Sequence, residues 1–131
     1  MKRRILLIDD NLNLTNLLSR ALRKFGFEVF AENNSFNSMS TIRASAPDLL
    51  VLDVMMPGKD GAAVLAELRM DPTWGDLPVI LLTAIAQEAQ SIANIGGRHS
   101  KVMGKPVEFE DLVAEIEDSL AKAEGMVPVA V

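Results

Sequence analysis

An α/β domain, with a parallel sheet covered by helices on both faces, is predicted by two observations. Short apolar runs alternate with stretches of helical periodicity five times along the chain. The principal runs are continuously apolar rather than alternating with polar residues, as strands buried on both faces require. Right-handed crossovers then restrict the chain to a doubly wound form.

Each element has local support. Ile5 to Ile8 reads as the first strand. Leu14, Leu17, Leu18, Ala21, Leu22 and Phe25 recur at helical spacing, with Asn11 or Asn13 as an N-cap and Gly26 as the stop. Phe27 to Ala31 is a second strand, where Glu28 signals partial exposure. Ser35 is positioned to cap a helix carrying Phe36, Met39 and Ile42, which Pro47 closes. Leu49 to Asp53 is the third strand. Gly61 to Met70 is helical, with Val64, Leu65 and Leu68 inward, until Asp71-Pro72 breaks it. Val79 to Leu82 forms a fourth strand that runs into Thr83, and residues 86–95 form a weaker helix. Val102-Met103 is a short fifth strand before Lys105-Pro106. The last helix runs from about Glu108 to Glu124, with Phe109, Leu112, Val113, Ile116 and Leu120 on one face.

Residues 1–124 therefore read as one domain, and residues 125–131 as a flexible tail or the start of a linker. At 131 residues and 49% hydrophobic, the chain can build a substantial core. A net charge of −5 argues against direct nucleic-acid binding, which needs clustered Lys and Arg. The one basic cluster, Lys2-Arg3-Arg4, reads as a solvated edge. Cysteine is absent, so disulfides and thiolate chemistry are excluded. The first apolar run stops at Asp9-Asp10, too early for a signal sequence, and no run approaches a membrane span. A cytoplasmic location without membrane contact is the expectation.

The polar residues with chemical potential stand where strands end: Asp9 and Asp10 after the first, Asp53 after the third, Thr83 after the fourth, Lys105 after the fifth. In a parallel sheet these ends share one edge, where ligands of open α/β sheets collect. Three carboxylates brought together there repel, by about 4 kcal/mol per pair at 4 Å and an effective dielectric of 20. A hard divalent cation relieves that repulsion, and carboxylates with a carbonyl, water and a phosphate oxygen suit Mg²⁺. An Asp beside such a cation can attack a phosphoryl group. Thr83 would donate its hydroxyl to a phosphoryl oxygen, and Lys105 would supply positive charge from the other side.

Together, Asp9-Asp10, the segment Asp53-Val54-Met55-Met56-Pro57-Gly58-Lys59-Asp60-Gly61, Thr83-Ala84 and Lys105-Pro106 resemble the receiver domain of two-component response regulators. The spacings agree as well: 44 and 43 residues from the acid pair to Asp53, 30 more to Thr83 and 52 from Asp53 to Lys105. The resemblance spans Arg3 to Glu124. It implies a (βα)₅, flavodoxin-like fold with strand order 2-1-3-4-5. It implies further that Asp53 accepts a phosphoryl group from a sensor histidine kinase or phosphotransfer protein, and that Asp9, Asp10, Asp53 and the Met55 carbonyl hold Mg²⁺. Thr83 and Lys105 would turn phosphorylation into a shift of the last two helices and the fifth strand, acting on a downstream protein or output domain. Such a domain is a signalling module rather than an enzyme, a monomer or a weak phosphorylation-dependent dimer. A cis Lys105-Pro106 bond is implied too.

The chain departs from that family before Lys105. Val102 stands where an aromatic residue is usual, and Val107 where one often follows Lys-Pro. A stiff, small Val cannot perform the aromatic rotamer switch, so backbone and helix displacement are expected to carry the signal. The unusual segment from Gly96 to Val102 also supports an alternative, a pseudo-receiver that docks without phosphorylation. A haloacid-dehalogenase-type phosphatase would need an Asp two positions after Asp53, where Met55 stands. An FMN carrier would need a hydroxyl-rich loop after the first strand and more aromatic residues than one Trp and no Tyr. Met55 and Ile85 resemble the family's rate-tuning positions; being apolar, they imply slow loss of the phosphoryl group. Taken singly, Thr83 reads as a helix cap, His99 as a surface loop residue and Trp74 as a loop-packing residue. Met56 is expected in the core.

Overall fold

The computed structural model describes residues 2–84 and 97–125, apart from the side chain of Arg98. Five parallel strands, β1 (Arg4–Ile8), β2 (Glu28–Glu32), β3 (Leu49–Asp53), β4 (Val79–Thr83) and β5 (Ser100–Gly104), lie in the order β2-β1-β3-β4-β5. The helices among the described residues are α1 (Leu12–Lys24), α2 (Ser38–Ser45), α3 (Gly61–Arg69) and α4 (Phe109–Ala123). The doubly wound sheet and its strand order are as expected. The helix expected over 86–95 and the tail from 126 lie outside the described residues.

Strand periodicity divides the core into two layers. Leu6, Ile8, Leu50, Leu52 and Leu81 face one side and pack on α2 and α3 through Met39, Ile42, Val64, Leu65 and Leu68. Their neighbours Ile5, Leu7, Leu49, Val51, Ile80 and Leu82 face the other side, against Leu18 and Leu22 of α1 and Leu112, Val113 and Ile116 of α4. β3 is central, so all five of its residues are buried, Asp53 included. Trp74 packs at the border of the first layer and Met56 lies within it.

Three local expectations are corrected. β2 begins at Glu28 rather than Phe27. Phe27 donates its N–H to the Leu22 carbonyl at 3.1 Å, and Gly26, at φ 108°, donates to Arg23 at 3.0 Å. That closes α1 with a Schellman motif and removes Phe27 from the ladder. The second helix is preceded by a 3₁₀ turn, Ser35–Asn37, whose Phe36 N–H is capped by the Asn34 side chain rather than by Ser35. The tighter turn resets the helical phase, so Met39 and Ile42 are buried while Phe36 stays 67% exposed. Nor is the basic cluster simply solvated: Arg3 and Arg4 are half-buried. Arg3 pairs with Asp48 and Glu124, whereas Arg4 meets Glu28 and the Ser45 carbonyl.

Candidate functional site

The carboxyl edge of the sheet gathers the acids from separate strands. Asp9 follows β1, and its Oδ1 accepts the Asn11 N–H at 2.9 Å, which folds its carboxylate back over the turn. Asn11 then caps α1, its side chain accepting the Leu14 N–H at 3.1 Å. Asp53 ends β3, and its Oδ1 accepts the Met55 N–H at 3.3 Å. Asp9, Asp10 and Asp53 each place a carboxylate oxygen within 4.8 Å of the others; Asp9 and Asp53 are buried and Asp10 is exposed.

Lys105 reaches the acids from β5. Its Nζ lies 3.2 Å from Asp9 Oδ2 and 3.0 Å from Asp53 Oδ1, joining residues 96 positions apart in the chain. Among the described residues, the hydrogen bonds to the Asp53 carboxylate thus converge on Oδ1. Thr83, 2% exposed, stands between these residues at the end of β4. It pairs with Gly104, and its carbonyl accepts the Lys105 N–H at 2.9 Å, so the hydroxyl-bearing and lysine-bearing positions are tied through one backbone bond. The Lys105-Pro106 bond is cis.

Burial pushes the Asp53 carboxyl above its ordinary pKa. The neighbouring Asp9 charge adds to that rise, while Lys105 and the Met55 N–H oppose it without cancelling it. Burial alone would lower the Lys105 pKa. The hydrogen bond to Asp53 and the charges of Asp9 and Asp53 outweigh burial, and the pKa is raised. The cluster is therefore a net-anionic, partly desolvated site that one ammonium only partly compensates.

The donor set fits Mg²⁺. On an octahedron with bonds of about 2.1 Å, ligand oxygens lie about 3.0 Å apart when adjacent and about 4.2 Å when opposite, so oxygens within 4.8 Å of one another would contract onto a shared ion. The donors are hard oxygens, and no histidine or cysteine stands among them.

Two contributors escaped the strand-end reading. Gly61 opens α3 and donates its N–H to the Val54 carbonyl at 2.8 Å. A Cβ there would sit 2.7 Å from Val54 Cα and against the Asp53 carbonyl, so only glycine allows α3 to start beside the loop that carries Asp53. Asn33, just past β2, donates from Nδ2 to the Asp9 carbonyl at 2.8 Å and to Thr15 Oγ1 at 2.9 Å. Applying the strand-end rule to the second strand would have pointed to Glu32, Asn33 and Asn34 together without choosing among them. His99 lies before β5, where its carbonyl accepts from Arg69 at 3.1 Å. Val102 is half-buried against the layer under α2 and α3.

The family model of the response regulator receiver domain matches residues 5–117. A probable transcriptional regulator, ycf27, of Cyanophora paradoxa is 32% identical over 95% of this chain and 51% of its own length. The response regulator MprA of Mycobacterium leprae is 34% identical over 91% of this chain and 51% of its own. The chain thus spans about half the length of these curated relatives. A putative response regulator from Chloroflexus aurantiacus superposes with a TM-score of 0.85 at 27% identity, covering 92% of this chain and 99% of that one.

Proposed function

The chain belongs to the response regulator receiver domain family, a signalling module of two-component systems, and on that premise we propose that Asp53 is its phosphoacceptor. The observation that carries the reading is the Lys105 ammonium on Asp53 Oδ1, with Asp9 and Asp10 within reach of the same carboxylate. Oδ1 is occupied by Lys105 and the Met55 N–H, which leaves Oδ2 as the oxygen that attacks phosphorus. The Oδ2–P bond forms as the bond from phosphorus to the donor's leaving group breaks. With a phosphohistidine donor the imidazole leaves with the bonding pair and takes up a proton. The product is an acyl phosphate on Asp53.

Asp9, Asp10, Asp53 and the Met55 carbonyl are assigned to Mg²⁺, which, when bound, offsets negative charge on the carboxylates and the phosphoryl oxygens. Lys105 would move from Asp53 Oδ1 to a phosphoryl oxygen, which opens Oδ1 to the metal, and Thr83 offers its hydroxyl to a second phosphoryl oxygen. The Thr83–Lys105 backbone bond would pass that adjustment to β5 and thence to α4. The donor is a histidine kinase or phosphotransfer protein, and the recipient a downstream protein or an output domain.

The test is incubation with Mg²⁺ and a small phosphodonor such as acetyl phosphate, followed by intact-mass analysis. One phosphoryl group is expected on the wild-type chain and none on Asp53→Asn. A modification that persists in Asp53→Asn would defeat the assignment. The docking-only alternative instead requires partner binding that is indifferent to phosphodonor and to Asp53→Ala.

A further inference from the structure

The Asp10 carboxylate reaches the acid cluster without a hydrogen-bond partner of its own among the described residues, and it is exposed. What the rest of the structure fixes for it is therefore where the side chain starts, through the backbone before it. The peptide joining Asp9 to Asp10 is a rigid plane, so the direction of the Asp9 carbonyl fixes where the Asp10 Cα and its side chain start. That carbonyl is gripped by Asn33 Nδ2 at 2.8 Å, from a segment 24 residues away. We propose that Asn33 is a positioning residue for the metal-holding acid pair, acting through the Asp9–Asp10 peptide plane.

The amide is itself held in one orientation. Thr15, 1% exposed on the inner face of α1, donates its hydroxyl to the Leu12 carbonyl at 3.1 Å. Its oxygen is then the acceptor for the second Asn33 Nδ2 hydrogen, at 2.9 Å. Both hydrogens of the amide are thus used, one on the acid turn and one on α1. The other end of the turn is also pinned from β2, since Asp9 donates its N–H to the Glu32 carbonyl at 3.2 Å. Consecutive residues of the β2 end, Glu32 and Asn33, therefore bracket Asp9 on both sides. A carboxylate ligand whose backbone is clamped this way needs less ordering when the ion arrives, which is how outer-shell partners raise affinity.

The inference rests on the assignment of Asp9 and Asp10 to Mg²⁺, and the experiment separates the two. Magnesium chloride alone is titrated calorimetrically into the full chain, wild type and Asn33→Ala, and thermal unfolding is followed separately in EDTA. The expected result is a Kd for Mg²⁺ weakened on the order of 10-fold in Asn33→Ala. A purely structural side chain would lower the unfolding temperature in EDTA and leave that Kd unchanged, and this outcome overturns the proposal. Asn33→Asp, nearly isosteric, covers the case in which the alanine variant does not fold. It removes both donors yet adds negative charge near the cation, so positioning demands weaker Mg²⁺ binding, whereas charge alone would tighten it; tighter binding also overturns the proposal. If the wild-type chain itself takes up no Mg²⁺, the metal assignment fails first and the positioning role with it.

Discussion

At the amino end of the sheet, arginines each meet two or more acceptors; at the carboxyl end, three carboxylates gather with one lysine, which bonds two of them. Arg3 and Arg4 face Asp48, Glu124, Glu28 and the Ser45 carbonyl. Arg69, at the end of α3, donates to the carbonyls of Gly75, Leu77 and His99 at 3.0, 2.7 and 3.1 Å. These bonds fasten α3, the loop before β4 and the start of β5 to one guanidinium, whose five donors suit such a fork. Lys105 at the opposite edge instead leaves the Asp53 carboxyl above its ordinary pKa. The amino end is compensated and holds the fold together. The carboxyl end is left short of positive charge, which favours a cation there.

The contrast can be broken at several points. Gly61→Ala should have the largest effect, about 3 kcal/mol or more of lost stability in urea unfolding, because the new methyl group meets β3 backbone rather than a movable side chain. Uptake of phosphoryl from acetyl phosphate should fall with it. Arg69→Met should cost about 2–3 kcal/mol by stripping several carbonyls of a donor. The folded fraction should still take up one phosphoryl group by mass analysis, which would separate the scaffold end from the site end. If phosphorylation disappears while the fold survives, the two ends are not independent.

Asp53→Asn should move stability the other way, on the order of 1 kcal/mol upward in EDTA at neutral pH, because it removes a buried charge that repels Asp9. The sign with pH follows. An acid whose pKa is raised by folding binds more protons in the folded state, so metal-free stability falls as pH rises from the unfolded Asp value through the raised one. Asp53→Asn should flatten that slope, and an unchanged slope in urea melts would count against it. The smallest effect is expected at Asp71, outside both clusters. Backbone N–H groups of Trp74 and Thr73, with Arg43, hold its carboxyl below the ordinary range. Its contribution is present above the unfolded pKa and fades as pH falls through the folded one, so Asp71→Asn should slightly soften the acid limb. Met55, 53% exposed beside Asp53, offers water no polar guide. Decay of the acyl phosphate should therefore take minutes or longer, and loss of radiolabel within seconds would rule this out.

Much of the site was legible because strand ends are a local signal. Asp53 closes a run of four apolar residues between Pro47 and Pro57, too short for a buried helix, so the run reads as a strand buried on both faces and its last residue emerges at the sheet edge. Gly26 was legible as a stop for the same reason, its left-handed backbone being a property of one residue. Phe36 misled because its spacing to Met39 and Ile42 fits one continuous helix, while the Asn34 cap imposes a 3₁₀ turn between them. Arg3 and Arg4 misled because their partners come from the start of β2, the ends of α2 and α4 and the residue before β3, far away in the chain.

What the sequence determined by itself, then, is the alternation of elements, the two-sided burial of β3 and the set of polar residues at one sheet edge. These follow from periodicity, apolar run length and cap chemistry, all of which act over a few residues. Tertiary structure alone decided that Lys105 bridges Asp9 and Asp53, that Gly61 must lack a side chain and that Asn33 grips the Asp9 carbonyl. Such contacts depend on strand order and on how closely helices approach the sheet. Those are set by packing the whole core at once, and no short window of residues encodes them.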